Sequence, residues 1–216
     1  MIKNPYPGKF IVFEGLDGSG QSTQAAKLVD YLDDKKQTSR FGYSGAYLTK
    51  EPTASLIGGL IRGQLTHDWQ SSLECLQLLF AADRAYHLEK EIIPLLEKGV
   101  IVISDRYFFS SFAYGALKLN QEWLFKINQN FLLPDITFFI DVAPKICVER
   151  IRKNRYRAAL FEKEEVLDGV WKNYKKLAKK FQNFYIINGE KSVDRVFEDI
   201  KTIIDHQLPV GVTLKI

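Results

Sequence analysis

The feature that constrains this chain most is a glycine-rich octapeptide, Gly15-Leu16-Asp17-Gly18-Ser19-Gly20-Gln21-Ser22, set between the apolar run Phe10-Ile11-Val12-Phe13 and a helical pattern. Glycine reaches backbone conformations closed to other residues, so consecutive N–H groups can turn toward one anion. The helix opening near Gln21 adds the positive end of its dipole. A strand, such a loop and a helix in that order make a phosphate cradle. Its candidate nucleotide contacts are Gly15, Leu16, Asp17, Gly18, Ser19, Gly20, Gln21, Ser22 and Thr23. Ser22 is placed to offer its hydroxyl to a magnesium ion bridging β- and γ-phosphates. The competing reading, a glycine turn with no ligand, fits poorly with the strand before it and the helix after it.

The loop departs from its pattern at one position, where Gln21 stands in place of lysine. A lysine carries positive charge to the β- and γ-oxygens as the transition state forms, whereas glutamine brings a neutral amide. Either another cation substitutes, or the loop binds nucleotide and turns it over poorly.

Apolar runs recur at Val100-Ile101-Val102-Ile103 and Ile136-Thr137-Phe138-Phe139-Ile140, short and uninterrupted as in strands covered on both faces. The pattern predicts strands at 10–14, within 38–48, and at 100–104, 136–141 and 184–187. Helices are predicted at 22–31, 56–65, 73–96, around 110–130, at 144–153, over a long stretch ending at Phe181, and at 193–206. Strands alternating with helices imply a parallel sheet with right-handed crossovers. A chain of 216 residues, 46% hydrophobic, is expected to form one α/β domain over 1–216.

No apolar run approaches a membrane span, and the first residues lack the order of a secretory signal, so no membrane partner and a cytoplasmic location are expected. Cys75 and Cys147 read as packing residues, and His67, His87 and His206 lack companions at zinc-ligand spacing. A formal charge of +4 suits small anionic substrates and falls short of a dedicated nucleic-acid binder.

Three further groupings carry chemistry. Asp105-Arg106-Tyr107 follows the strand ending at Ser104, where open α/β sheets build their sites. Asp105 is then the magnesium partner of Ser22, and Arg106 a bidentate phosphate ligand. The plainer reading is a surface Asp-Arg pair. Phe80 and Arg84 lie four apart on one helix face, able to stack on a base and to bond its carbonyl. Taken alone, Phe80 reads as core and Arg84 as half of an ion pair with Asp83 or a neighbour. Arg150, Arg152, Lys153, Arg155 and Arg157 crowd one helix end, which suits a lid over a triphosphate; a solvated basic face or an RNA patch are the alternatives.

These pieces, in this order, resemble the thymidylate kinases over nearly the whole chain. The resemblance rests on Phe13-Glu14-Gly15-Leu16-Asp17-Gly18-Ser19-Gly20, Thr49-Lys50-Glu51-Pro52, Phe80-Ala81-Ala82-Asp83-Arg84, and Asp105-Arg106-Tyr107 continuing through Ser110-Ser111-Phe112-Ala113-Tyr114. It implies a three-layer P-loop NTPase fold with a five-stranded parallel sheet and a short basic lid at roughly 150–161. It also implies transfer of the γ-phosphoryl group of ATP to dTMP, giving dTDP, with magnesium and as a homodimer. By the same resemblance Asp17 lies near the sugar 3′-hydroxyl and the transferring phosphate, and Arg106 binds the acceptor phosphate. Phe80 stacks on thymine, Arg84 bonds its carbonyl, Ser111 reaches the base edge and Tyr114 lies under the deoxyribose. Arg152, Arg155 and Arg157 are the lid cations that would offset Gln21.

Three positions depart from the family pattern: Lys50, by the resemblance a dTMP ligand, replaces an arginine, Thr53-Ala54 a glycine pair, and Gly115 a glutamine. They bear on base preference more than on fold. The expectation is a working thymidylate kinase. Its rivals are a related nucleoside or monophosphate kinase of other base preference, and a nucleotide-binding protein that has lost catalysis.

Overall fold

The computed structural model describes residues 1–154 and 164–208. Strands β1 (Ile2–Lys3), β2 (Phe10–Gly15), β3 (Ala46–Lys50), β4 (Ile101–Asp105), β5 (Leu132–Leu133), β6 (Ile136–Asp141) and β7 (Phe184–Asn188) alternate with ten helices. The helices are α1 (Gln21–Leu32), α2 (Lys35–Phe41), α3 (Leu56–Leu65), α4 (Leu73–His87), α5 (Ile93–Glu97), α6 (Phe108–Gly115), α7 (Gln121–Asn128), α8 (Pro144–Asn154), α9 (Glu164–Lys180) and α10 (Val193–Gln207). Five strands form one sheet in the order β3-β4-β2-β6-β7, every neighbour parallel. The fold is α/β, with helices covering a parallel sheet.

The central strand explains itself. All six residues of β2 are buried, because helices cover both faces and neither can carry polar side chains without partners. Phe10, Ile11, Val12 and Phe13 pack with Phe138, Phe139, Val102 and Ile103 in a continuous core. Register then places the chemistry. Asp105 pairs with Phe13 on one side and with Lys50 on the other, and Asp105 and Lys50 are the last residues of their strands, level with the carboxyl-terminal half of β2. Chain crossing from one face of the sheet to the other leaves a crevice there.

Two expectations are corrected. The weak pattern at 38–48 hides helix α2, capped by Asp34 accepting from Lys36 N–H and closed by Gly42 at φ 72°, and the strand begins only at Ala46. The helix predicted over 73–96 is α4, then a π-helical turn (Leu88–Ile92), then α5, whose Pro94 falls in its first turn where the missing N–H costs nothing. The helices expected around 110–130 are α6 and α7, the second capped by Asn120. The short β1–β5 ladder was not foreseen, since two residues give no periodicity. Of the basic lid expected at 150–161, Arg152 ends α8 exposed, while Arg155 and Arg157 lie outside the described residues.

Candidate active site

The glycine-rich loop joins β2 to α1. Gly18 (φ 82°) and Gly20 (φ 96°) take the left-handed conformation, the second directly before the first helical residue. At Gly18 a side chain is excluded twice, because a Cβ would also stand 2.7 Å from the Cys147 carbonyl oxygen. The loop borders a cavity of about 510 Å³ lined by Gly18, Ser19, Gly20, Thr23 and Arg150. Arg150 donates to the carbonyls of Ser19 (3.2 Å) and Gly189 (3.2 Å), so its guanidinium lies against the loop. Sequence reading counted Arg150 only as part of the basic cluster; its spacing from the loop in sequence gave no sign of the contact.

Ser22 donates to Asp105 Oδ2 at 2.5 Å, which brings together the two residues expected to share a metal. Asp105 Oδ1 is buried and has no partner among the described residues. Lys50, expected near the acceptor, instead lines a separate cavity with Ser22, Thr49, Glu91 and Asp105.

On the other side of the loop a cleft of about 340 Å³ is lined by Asp17, Phe80, Arg84, Arg106, Ser111 and Tyr114 among others, so six of the seven expected acceptor residues converge there. Arg84 is 1% exposed, and burial of a guanidinium requires an acid partner. That partner is Glu51, whose Oε2 accepts from Nε (2.9 Å) and Nη2 (2.7 Å), while Asn128 Oδ1 accepts from Nη1 (2.6 Å). Asp83, the adjacent acid, faces elsewhere: it accepts from the Thr53 N–H (2.8 Å), the Thr53 hydroxyl (2.6 Å) and the Ser55 hydroxyl (3.0 Å), fixing the segment after Pro52. Arg84 is thus half of an ion pair, with Glu51 rather than Asp83, and it also lines the cleft.

Arg106 stands between the two cavities, at φ 72°, a conformation costly to a residue with a Cβ and held here by the donation of its N–H to Phe13 O at 2.9 Å. Its Nη1 donates to Gly15 O (3.0 Å) and Ser110 Oγ (3.0 Å), and its Nη2 to Asp17 Oδ1 (2.9 Å). The Gln21 amide completes the set. Its oxygen must face Arg106, because the reverse orientation would set amide N–H groups against guanidinium N–H groups. So placed, it accepts from Nη2 (2.7 Å) and Nε (3.2 Å), and its nitrogen donates to Leu16 O (2.9 Å) and to Ser19 Oγ. Gln21 thus binds the loop with one end and Arg106 with the other.

Beneath Arg106 lies Glu14, fully buried, accepting from Tyr107 N–H (3.0 Å), Ser110 N–H (3.2 Å), Ser110 Oγ (2.6 Å) and Tyr174 Oη (2.8 Å). Burial pushes its pKa up to about 7 against those donors and the charge of Arg106. The Tyr114 ring packs 5.6 Å from the Arg106 guanidinium, and its phenol, raised by burial and by Asp17, stays protonated.

A parallel sheet of this order, a phosphate loop after its central strand and a second cleft facing that loop define a protein of the P-loop kinase fold. A family model described as thymidylate kinase matches residues 13–200. The probable thymidylate kinase of Pyrococcus abyssi is 40% identical over 210 residues, which cover 93% of this chain and 98% of that relative. The thymidylate kinase of Thermosipho melanesiensis is 38% identical over 204 residues, covering 92% and 98%. The chain belongs to the thymidylate kinase family.

Proposed function

We propose that the protein transfers the γ-phosphoryl group of ATP to dTMP, giving dTDP and ADP, in the supply of dTTP. The observation that carries this reading is Arg106, whose guanidinium bonds to the phosphate loop through Gly15, Asp17 and Gln21 and, with Asp17, also lines the facing cleft. A nucleotide in each cavity brings donor and acceptor phosphates to that one cation. Family membership and the relatives named thymidylate kinase support dTMP as acceptor.

The donor lies along Gly15, Leu16, Asp17, Gly18, Ser19, Gly20, Gln21, Ser22 and Thr23, with Arg150 beside it. In the facing cleft Phe80 stacks on the thymine, Arg84 donates to a ring carbonyl, and Ser111 meets the base edge. Tyr114 lies under the deoxyribose and Asp17 accepts from its 3′-hydroxyl. An oxygen of the acceptor phosphate attacks the γ-phosphorus, the bond to the β-phosphate oxygen breaks, and ADP departs. Catalysis is then mostly positioning and charge stabilisation. Arg106 holds the acceptor phosphate in line and, bound to Gln21, brings to the loop a positive charge that lysine would have carried. Arg152, Arg155 and Arg157 add charge from a lid at about 150–161, with 1–216 acting as one kinase unit.

Magnesium fits the pair Ser22 and Asp105, since a buried carboxylate oxygen without a partner beside a hydroxyl is a donor set suited to a hard cation. When bound it neutralises charge on the β- and γ-oxygens. Lys50 stands next to it as a further cation, rather than as an acceptor ligand. We assign the enzyme to the cytoplasm; among the described residues no helix is long and apolar enough to cross a membrane.

The test measures ADP release with ATP, magnesium and a panel of nucleosides and monophosphates. Turnover with dTMP above all others is expected. Preference for a nucleoside or another monophosphate would replace the acceptor assignment, and ATP binding without turnover would replace the enzyme by a nucleotide-binding protein.

A further inference from the structure

Among the polar side chains that line the cleft, Gln77 is one to which neither motif nor family likeness gave a role. Gln77 lies on α4, one turn before Phe80 and two before Arg84, so all three share the face that lines the cleft. It is 5% exposed, yet its Oε1 is buried with no hydrogen-bond partner, and the amide makes no hydrogen bond among the described residues. A buried amide oxygen left unpaired costs stability. A chain keeps such a group where a ligand completes it.

The neighbouring helix α6 leaves room for the amide. Gly115 ends α6, and a Cβ there would stand 3.3 Å from the Gln77 amide carbon and 3.0 Å from both methyl groups of Leu124. Any side chain at 115 would crowd the amide. The absence of a side chain on α6 and the amide projecting from α4 are two halves of one arrangement, since the space a residue at 115 would fill is the space Gln77 uses.

The chemistry names the ligand group. A carboxamide offers one donor and one acceptor side by side. A pyrimidine imide, N–H flanked by C=O, offers the complementary pair. Arg84, with donors alone, cannot satisfy the ring N–H, and neither can Phe80. We propose that Gln77 is a specificity-determining residue that receives the imide edge of the pyrimidine, its oxygen accepting the ring N–H and its nitrogen donating to a ring carbonyl. This rests on the assignment of the cleft to a pyrimidine monophosphate.

The wild-type enzyme is measured first with dTMP, and failure of turnover there would sink the proposed function rather than the role of Gln77. Gln77→Leu and Gln77→Met keep the volume and remove the amide; either suffices if the other folds poorly. Loss of hydrogen bonds to a desolvated imide is expected to raise the KM for dTMP about tenfold or more, with the KM for ATP within about twofold. Thermal unfolding of the ligand-free variants is expected at the wild-type temperature or above it, because the unpaired oxygen is gone. A residue that merely packs would give the reverse, lower stability with an unchanged KM for dTMP, and that result overturns the proposal.

Discussion

At the scale of single residues, position 21 looks like a defect in sequence and like a connector in structure. A glutamine cannot carry charge to a phosphate, but its oxygen accepts from two N–H groups of Arg106 while its nitrogen is fixed on the loop. A lysine at 21 would set an ammonium against that guanidinium, and two cations at about 3 Å repel strongly even at an effective dielectric constant near 20. Restoring the pattern lysine is therefore expected to do harm. Gln21→Lys should leave the fold intact, raise the KM for dTMP about tenfold by pushing Arg106 aside, and give no gain in kcat. Steady-state kinetics in both substrates checks this; a higher kcat with the dTMP KM unchanged would show that the chain lacked only its lysine.

At the scale of elements, Glu14 joins three of them: it sits in β2 and accepts from Tyr107 and Ser110 at the start of α6 and from Tyr174 of α9. Burial raises its pKa from 4.5 to about 7, so the folded protein holds this proton more tightly than the unfolded chain does. The stabilisation from that proton is complete below the unfolded value and fades as pH rises through the folded one. Stability should fall between about pH 4.5 and 7 by an amount on the order of 3 kcal/mol from this group alone. Glu14→Gln removes the titration, and its denaturant midpoint is expected to vary less over that interval. A slope equal to that of the wild type would locate the pH dependence elsewhere.

Elements also divide what the sequence discloses from what it hides. Strands β2, β4 and β6 were legible because burial on both faces forces unbroken apolar runs, and the loop was legible because its glycines are required by geometry. The edge strand β3 was not, for its residues are half-exposed and carry no such run. Within the site, Asp105 and Ser22 were readable from their places after strand and loop. The pairing of Arg84 with Glu51 was not, since 33 residues separate them and the acid next door was the simpler guess. Gln77 gave no signal because an unpaired oxygen becomes visible only when its surroundings are known.

At the scale of the whole molecule, the surface holds an apolar feature that the clefts do not explain. Leu56 is 91% exposed and Leu60, one turn on along α3, 51%. Leu78 on the neighbouring α4 is 51% exposed as well. Two helices that pack together and both present leucine to water suit a face shared by two copies, in line with the homodimer the family likeness implies. The double substitution Leu56→Asp and Leu60→Asp, both at exposed positions, should give a folded monomer. Light scattering coupled to size-exclusion chromatography measures this, and a variant that elutes with the mass of the unaltered protein, or an unaltered protein that is itself monomeric, would remove α3 from the interface.

Each of the five N–H groups of Arg106 already has an acceptor: Gly15, Ser110, Asp17 and, twice, Gln21. An incoming phosphate finds no vacant donor and has to evict an incumbent. The neutral amide gives way more readily than the carboxylate, so the edge of the guanidinium nearest the loop opens first. Small anions such as chloride, with one charge and a single atom where the fork takes two acceptors, have little leverage in that exchange, and ordinary salt should inhibit the enzyme far less than inorganic phosphate does.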